Sequence, residues 1–165
     1  MVVGLTGLPG ELVRPRWQPT TPKQPEPHVD WCGMGVTEQA NDAGPAIQHD
    51  PAGDGRDHYE RHQALQVLCS FYGPNAKRYA QMLGDGLAMP QNQEPLNPYA
   101  IRFIEAGPLR GTSELVNQQW VRRFDVALSF RRKIARTYPV LNLREAAVLT
   151  TVNAPPAVAT AITEQ

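Results

Sequence analysis

Three side chains that could bind a metal ion or move a proton lie close together in the HYERH stretch, namely His58, Glu60 and His62. On a β-strand this spacing puts all three on one face, with successive side chains about 7 Å apart. The metalloprotease motif instead needs two histidines four residues apart on a helix. We therefore expect a solvated strand face here. A small metal-dependent hydrolase that uses these three residues is kept as the alternative.

Other signatures of catalysis are missing from the sequence. The HDPAGDGRD stretch does not have the spacing of a calcium loop. The chain contains no Walker-type lysine, no G-x-G-x-x-G and no G-x-S-x-G motif. The carboxylates Glu60, Glu94, Glu105 and Asp125 cannot be paired by spacing. We predict no catalytic residue, no metal site and no cofactor.

The stretch CSFYGPNAKRYAQML, residues 69–83, predicts a strand that turns sharply into a helix. Such an elbow can carry a nucleophile or a phosphate loop, but Ser70 precedes the turn instead of lying on it. We therefore interpret the elbow as architectural. Glycine allows the bend, proline starts the helix at its first position, and the two aromatic residues pack beneath it. The elbow residues are Phe71, Tyr72, Gly73, Pro74 and Asn75.

Basic residues crowd one long strand-like segment near the C-terminal end. Three interpretations remain open: a charged edge strand that resists uncontrolled pairing, a contact with another subunit, or a contact with nucleic acid. The formal net charge of +0 argues against a dedicated nucleic-acid-binding protein. Candidate contact residues are Arg122, Arg123, Arg131, Arg132 and Lys133, together with Asp50 and Asp54 of the Gly- and Asp-rich segment before His58.

The periodicity of the chain predicts the α+β class, a mostly antiparallel sheet with one main helix, about residues 74–88, on one face. Residues that alternate over 64–71 predict two different strand faces, and apolar residues at helical spacing predict one apolar stripe on the helix. Strands are expected at 12–17, 29–37, 58–72 and 101–106.

In the segment at 118–137, Trp120 and Phe124 are expected on one strand face and Val121 on the opposite one. The segment is long enough either to bend and break or to project beyond the domain. Gly33 and Gly35 suggest a close backbone approach or a bulge. Cys32 and Cys69 are expected to be buried free thiols.

The same pattern predicts one domain over residues 1–152 and a flexible tail over 153–165. Four prolines predict an extended arm at 18–28, and turn-forming residues predict a long loop at 38–57. Residues 141–152 fit either a strand or a short helix. Apolar runs are far too short to span a membrane.

Three blocks of sequence, in this order, resemble the neck or tail-terminator proteins of long-tailed bacteriophages and prophages. They are VRPRWQP with its proline-rich arm and VDWCGMGV, then LQVLCSFYGPNAKRYAQMLGDGLAMPQNQEPL, then ELVNQQWVRRFDVALSFRR. The resemblance covers residues 4–151, and its most specific parts are FYGPNA followed by QNQEPL, and NQQWVRRFDV. It also implies a helical segment upstream of LTGLPG, and this chain starts almost at that stretch.

The resemblance implies a non-enzymatic virion protein of the tail or neck, assembled in the host cytoplasm. Its relatives close into a hexameric ring of identical subunits that caps the tail tube and ends tail polymerisation. The implied partners are therefore the tail tube protein and the head connector or stopper protein. Genomic DNA would pass through the ring without sequence-specific binding. A head-completion or stopper protein on the connector side is the alternative within the same structural class.

Overall fold

Two strands of 17 residues each, β4 and β9, pair along their whole length and form the centre of the fold. The computed structural model describes residues 1–20, 22–116 and 118–143. Its elements are α1 Val2–Thr6, β1 Val13–Pro15, β2 Trp31–Asn41, β3 Ala46–Asp50, β4 Arg56–Tyr72, α2 Ala76–Ala88, β5 Ile101–Ala106, β6 Arg110–Gly111, β7 Glu114–Val116, β8 Gln119–Val121 and β9 Arg123–Pro139, with 3₁₀ turns at Gly10–Leu12 and Pro90–Tyr99.

The main sheet has the order β1-β2-β4-β9-β5, and among the strands of the described residues only β1 and β2 pair in parallel. Strand β3 also pairs with β4, and β6 with β9, whereas β7 and β8 form a separate hairpin. A mainly antiparallel sheet with few helices is consistent with the expected α+β class. None of the helices within the described residues is long and apolar enough to cross a membrane.

Alternating side chains give the sheet two different faces, as the sequence pattern predicts. The core face carries Leu65, Val67, Cys69 and Phe71 of β4 opposite Phe130, Leu128, Val126 and Phe124 of β9. The opposite face, here called the open face, carries Ala64, Gln66, Leu68 and Ser70 opposite Arg131, Ser129, Ala127 and Asp125. Cys32 and Cys69 are buried free thiols in the core, as expected.

Helix α2 covers the core face with the predicted apolar stripe, in which Ala76, Ala80, Leu83 and Leu87 are all buried. The helix begins at Ala76, so Pro74 is not its first residue. Both carboxylate oxygens of Asp30 accept hydrogen bonds from Asn75, at 2.8 Å from its backbone N–H and 2.9 Å from its side chain. These bonds hold Asn75 outside the helix as its N-cap residue.

The predicted loop at 38–57 is wrong for most of its length. Strand β2 continues to Asn41, and after four residues β3 resumes along the same edge of β4. The turn-forming residues are concentrated at 42–45 and 51–55. The polar residues between them form strands because β4 offers a ladder of hydrogen-bonding partners, which outweighs weak local propensity.

The long segment at 118–137 breaks at Arg122, which is one of its two expected outcomes. The residues before the break form β8, so Trp120 does not share the core face with Phe124 and is 71% exposed. Val121, expected on the opposite face, is buried. The segment Pro90–Tyr99 forms a 3₁₀ helix that includes Pro95 and Pro98.

The bulge expected near Gly33 and Gly35 is confirmed, because the β2–β4 register shifts between Val36 and Glu38. The expected close approach is also present. A Cβ atom on Gly35 would lie 2.6 Å from the Trp17 ring and 3.2 Å from Arg16. The 153–165 tail and the segment from 144 onward lie outside the described residues.

Candidate functional site

The elbow after β4 is held by contacts with the backbone of neighbouring segments. Gly73 has a φ of 105°, and a Cβ atom there would lie 2.8 Å from the Val29 carbonyl oxygen. Its N–H donates to the carbonyl of Arg122 at 3.2 Å. Phe71 is fully buried in the core, but Tyr72 is on the open face, where its ring stacks on Trp31 at 4.1 Å. The expectation that both aromatic residues pack beneath the elbow is therefore wrong for Tyr72.

A network of charged and polar side chains lies on the open face beside this elbow. Asp125 accepts hydrogen bonds from Arg123 at 2.8 Å, from Thr112 at 3.2 Å and from Ser70. The network extends from Ser70 to Arg16 and from Arg123 to Glu114. It therefore ties the chain after β1 and the β7 strand to the centre of the sheet.

Opposite charge keeps this network ionised. Burial acts to raise the pKa of Asp125, but the hydrogen bonds from Arg123 and Ser70 and the charge of Arg123 outweigh it, so the pKa is lowered. Burial acts to lower the pKa of Arg123, and the contacts with Asp125, Tyr72 and Glu114 raise it further than burial lowers it. Ser70 is fully buried and donates to a carboxylate, so its hydroxyl is not exposed to a substrate.

The proline-rich arm lies beside this network. Arg14 donates to the carbonyl of Lys23 at 2.7 Å, which ties the arm to β1. An open cleft of about 400 Å³ lies between the arm and the start of β2, lined by Arg16, Trp17, Trp31 and Tyr72 among others. Its walls are aromatic and basic, which suits contact with another protein more than catalysis.

The outer halves of the long strands project beyond the part of the sheet that α2 covers. We call this three-stranded segment the outer ribbon; it comprises Ala46–Asp50, Arg56–His62 and Lys133–Pro139. Its residues are exposed or half-buried on both faces. Tyr59 and Tyr138 meet edge to face at 5.9 Å, and Arg61 lies over the Tyr59 ring at 5.4 Å. The projection predicted as one option for the long strand is therefore present.

The tip of the outer ribbon is closed by the chain that follows β9. The side chain of Asn142 donates to the carbonyls of Pro51 and Gly53 and contacts His49 Nε2 at 2.8 Å. His49 also contacts Asp57 at 2.7 Å, and these two contacts raise the pKa of His49. Large apolar side chains are exposed around this tip, namely Ile47, Tyr138, Val140, Leu141 and Leu143.

The three residues with potential for metal binding lie on the open face of the outer ribbon. His58 lies 3.7 Å from Asp50, whereas Glu60 forms an ion pair with Lys133 at 2.6 Å. His62 is opposite Lys133 in the ladder. Among the described residues, no group of three or more histidine, cysteine or acidic side chains is arranged to hold a metal ion.

The candidate contact residues are divided between the two faces and are mostly paired within the chain. Arg131 pairs with Asp42 on the open face, and Arg132 donates to Gln63 at 3.1 Å on the core face. Asp50 accepts from Arg56 at 2.7 Å. Arg122 is exposed, and Asp54 lies in the turn, where its carbonyl accepts from the Asn142 backbone.

Sequence reasoning missed two features of this surface. One is β3, because its residues resemble a loop. The other is the role of Arg123, because its place in the basic segment predicts a surface contact, whereas its side chain is only 18% exposed and binds two carboxylates. The acidic residues nearby in sequence, Asp125 and Glu114, were the available signal.

A family model described as phage neck terminator protein matches residues 1–154. The match covers the main sheet, α2, the outer ribbon and the ion network. None of the curated proteins compared matches the chain.

Proposed function

Because the chain belongs to the phage neck terminator family, we propose that it forms a ring that caps the tail tube and joins the tail to the head. Membership of the family makes it a structural protein of the phage neck. The ring, its hexameric stoichiometry and its role in ending tail polymerisation are the proposal. The family match over 154 residues is the observation that carries it.

The outer ribbon supports this proposal. Ile47 is 61% exposed and Leu141 is 85% exposed, although both are large apolar residues near the same tip. Exposed apolar groups that lie together are typical of surfaces that another protein covers. We assign this tip to contacts with other subunits or with the tail tube protein.

The candidate contact residues belong to the same proposal. Arg122, Arg131 and Lys133 are exposed enough to reach a partner, and Asp50 and Asp54 lie at the ribbon tip. In the ring they would contact the next subunit, the tube or the head connector protein. Genomic DNA would pass through without sequence-specific contacts, which suits a chain of +0 net charge. The role requires no reaction, no metal and no cofactor.

Deletion of the gene from the phage or prophage that encodes the chain tests the proposal. Electron microscopy should then show tails of uncontrolled length that are not joined to heads, and the chain supplied from a plasmid should restore normal particles. Tails of normal length that fail to join heads would instead indicate a stopper on the connector side. Normal, joined particles would contradict both roles.

A variant with alanine at His58 and His62 is the control in this experiment. We expect it to restore particles as well as the unchanged chain, because neither side chain takes part in the contacts proposed for the ring. Failure of this variant, with its fold intact, would favour a chemical role for the HYERH segment.

A further inference from the structure

We propose that copies of this chain join through their strand edges, with the β9 edge of one outer ribbon pairing with the β3 edge of the next. The inference rests on the proposed ring and specifies the surfaces that form it. The partner is a second copy of this chain, and the contact is a parallel β-ladder.

Strand β9 has an open edge in the outer ribbon. The Lys133 N–H donates to the Ala100 carbonyl at 2.9 Å on the β5 side. The Ala127 carbonyl accepts from the Gly107 N–H on the same side. Because backbone groups alternate along a strand, odd-numbered residues of β9 turn away from β4. Strand β5 begins opposite Arg132. The N–H and C=O groups of Ala135 and Thr137 therefore have no partner among the described residues.

Strand β3 has the matching open edge on the other side of the ribbon. The His62 carbonyl accepts from the Asp42 N–H, so even-numbered residues of β4 turn toward β2 and β3. Ala46, Gln48 and Asp50 are opposite even-numbered β4 residues and pair with them. Ile47 and His49 consequently turn their backbone groups outward, and no described residue pairs with those groups.

The two edges lie at the same level along the ribbon and run in the same direction. The β4 stretch Arg56–Glu60 is opposite Ala46–Asp50 on one side and Ala135–Pro139 on the other. Both strands are antiparallel to β4, so they are parallel to each other. A rotation about an axis along the ribbon preserves strand direction. It would place the β9 edge of one copy beside the β3 edge of the next, in parallel.

Apolar side chains near the two edges also support pairing with a second copy of the chain. Ile47 of β3 is 61% exposed and Tyr138 of β9 is 43% exposed, and both are on the core-face side of the ribbon. Joining the edges would bring these apolar groups of adjacent copies onto one continuous face. A head-to-tail contact of this kind uses two different edges, so it generates a closed ring when the rotation closes.

Proline at both Ala135 and Thr137 tests the inference. Proline removes an N–H donor, and at these two positions the donors lost are the outward ones, so the ladder with β4 is retained. The matched control is the Ala135→Val, Thr137→Val double variant, which keeps both donors. Thermal unfolding of each variant verifies that its fold is intact. Mass by light scattering and restoration of the deletion phage report assembly.

We expect the proline variant to unfold at nearly the wild-type temperature and to weaken self-association by at least about tenfold. The valine variant should assemble normally. A proline variant that assembles and restores particles like wild type would overturn the edge pairing but leave the ring proposal intact. Failure of the ring proposal itself would be recognised separately, by joined tails of normal length in the deletion phage.

A cysteine pair gives an independent measurement. Gln48 and Thr137 are both opposite His58, so they are at the same level on the same face of the two edges. The Gln48→Cys, Thr137→Cys variant treated with a mild oxidant should give a ladder of disulfide-linked multimers, whereas either single variant should not. Within one chain the two positions are separated by β4, at about 10 Å, which is too far for a disulfide, so a bond between them has to join two copies. The native Cys32 and Cys69 are fully buried and serve as an internal background. A double variant that shows no ladder while it assembles would overturn the inference.

Discussion

Asp125 is the carboxylate on which the open-face network depends. Its side chain is 15% exposed and is bonded by Arg123, Ser70 and Thr112. In Asp125→Asn the Arg123 charge would lose this partner while remaining mostly buried. We expect the free energy of unfolding to fall by about 2–3 kcal/mol, measured by urea denaturation at pH 7. Asp42→Asn is the control, because the Asp42–Arg131 pair is exposed and should contribute at most about 1 kcal/mol.

The same carboxylate gives the stability a defined pH dependence. The pKa of Asp125 is lower in the folded protein than its ordinary value of 3.8, because the effect of burial, which acts to raise it, is outweighed by the hydrogen bonds from Arg123 and Ser70. Its stabilising contribution is therefore present above that value and is lost as the pH falls through the folded pKa. Asp125→Asn should remove this part of the acid destabilisation. Identical acid-unfolding profiles for the variant and wild type would contradict the role given to Asp125.

Gly73 is required by the elbow for two reasons that act together. Its φ of 105° is unfavourable for other residues, and the Val29 carbonyl oxygen and Asp30 leave no space for a methyl group. We expect Gly73→Ala to lower the melting temperature clearly, at a cost of about 1–3 kcal/mol. Gly44→Ala is the matched control, since nothing lies within 4 Å of the added atom. Equal melting temperatures for the two variants would show that the elbow relaxes without cost.

At the scale of elements, the predictable features were those that follow from one regular spacing of apolar residues along the chain. Alternation of apolar and polar residues predicted which side chains share a face of β4 and β9, and helical spacing predicted the apolar stripe of α2. Strand β3 has no such pattern. It forms because it pairs with an edge of β4, and the sequence does not show which segments pair. A break in the 118–137 segment was one of the two expected outcomes, but its position at Arg122 could not be predicted, since Gly73 of a distant segment binds the Arg122 carbonyl. The candidate site was only partly predictable, because Arg16 and Asp125 meet through Ser70 across a large sequence separation.

The core face of β9 should not tolerate charge. Val126 is 3% exposed beneath α2, so Val126→Asp would bury a carboxylate without a partner. We expect this variant to fail to fold, measured as loss of the cooperative unfolding transition. Thr137→Asp on the same strand is the control, because Thr137 is exposed in the outer ribbon and its variant should unfold cooperatively. Cooperative unfolding of Val126→Asp would mean that α2 does not seal this face.

At the scale of the whole molecule, stability and assembly are expected to depend on different halves of the long strands. Helix α2 and α1 pack on the inner half, where most buried side chains lie. The outer ribbon contributes few of them, yet it has large apolar groups exposed at its tip. Exposed apolar groups on a projecting ribbon are best explained by contacts that form only in the assembled particle.

The Ile47→Ser, Leu141→Ser double variant separates these two roles. Both side chains are mostly exposed, at 61% and 85%, so the melting temperature of the isolated chain should change little. Particle assembly should nevertheless fall strongly in the complemented deletion phage, because the apolar contact surface at the tip is lost. The control is Met89→Ser with Tyr99→Ser, which replaces residues that are 59% and 71% exposed at the ends of the 3₁₀ segment after α2. If the two double variants restored particles equally, the ribbon tip would not be the assembly surface; if only the tip variant failed, with an unchanged melting temperature, the defect would belong to assembly and not to folding.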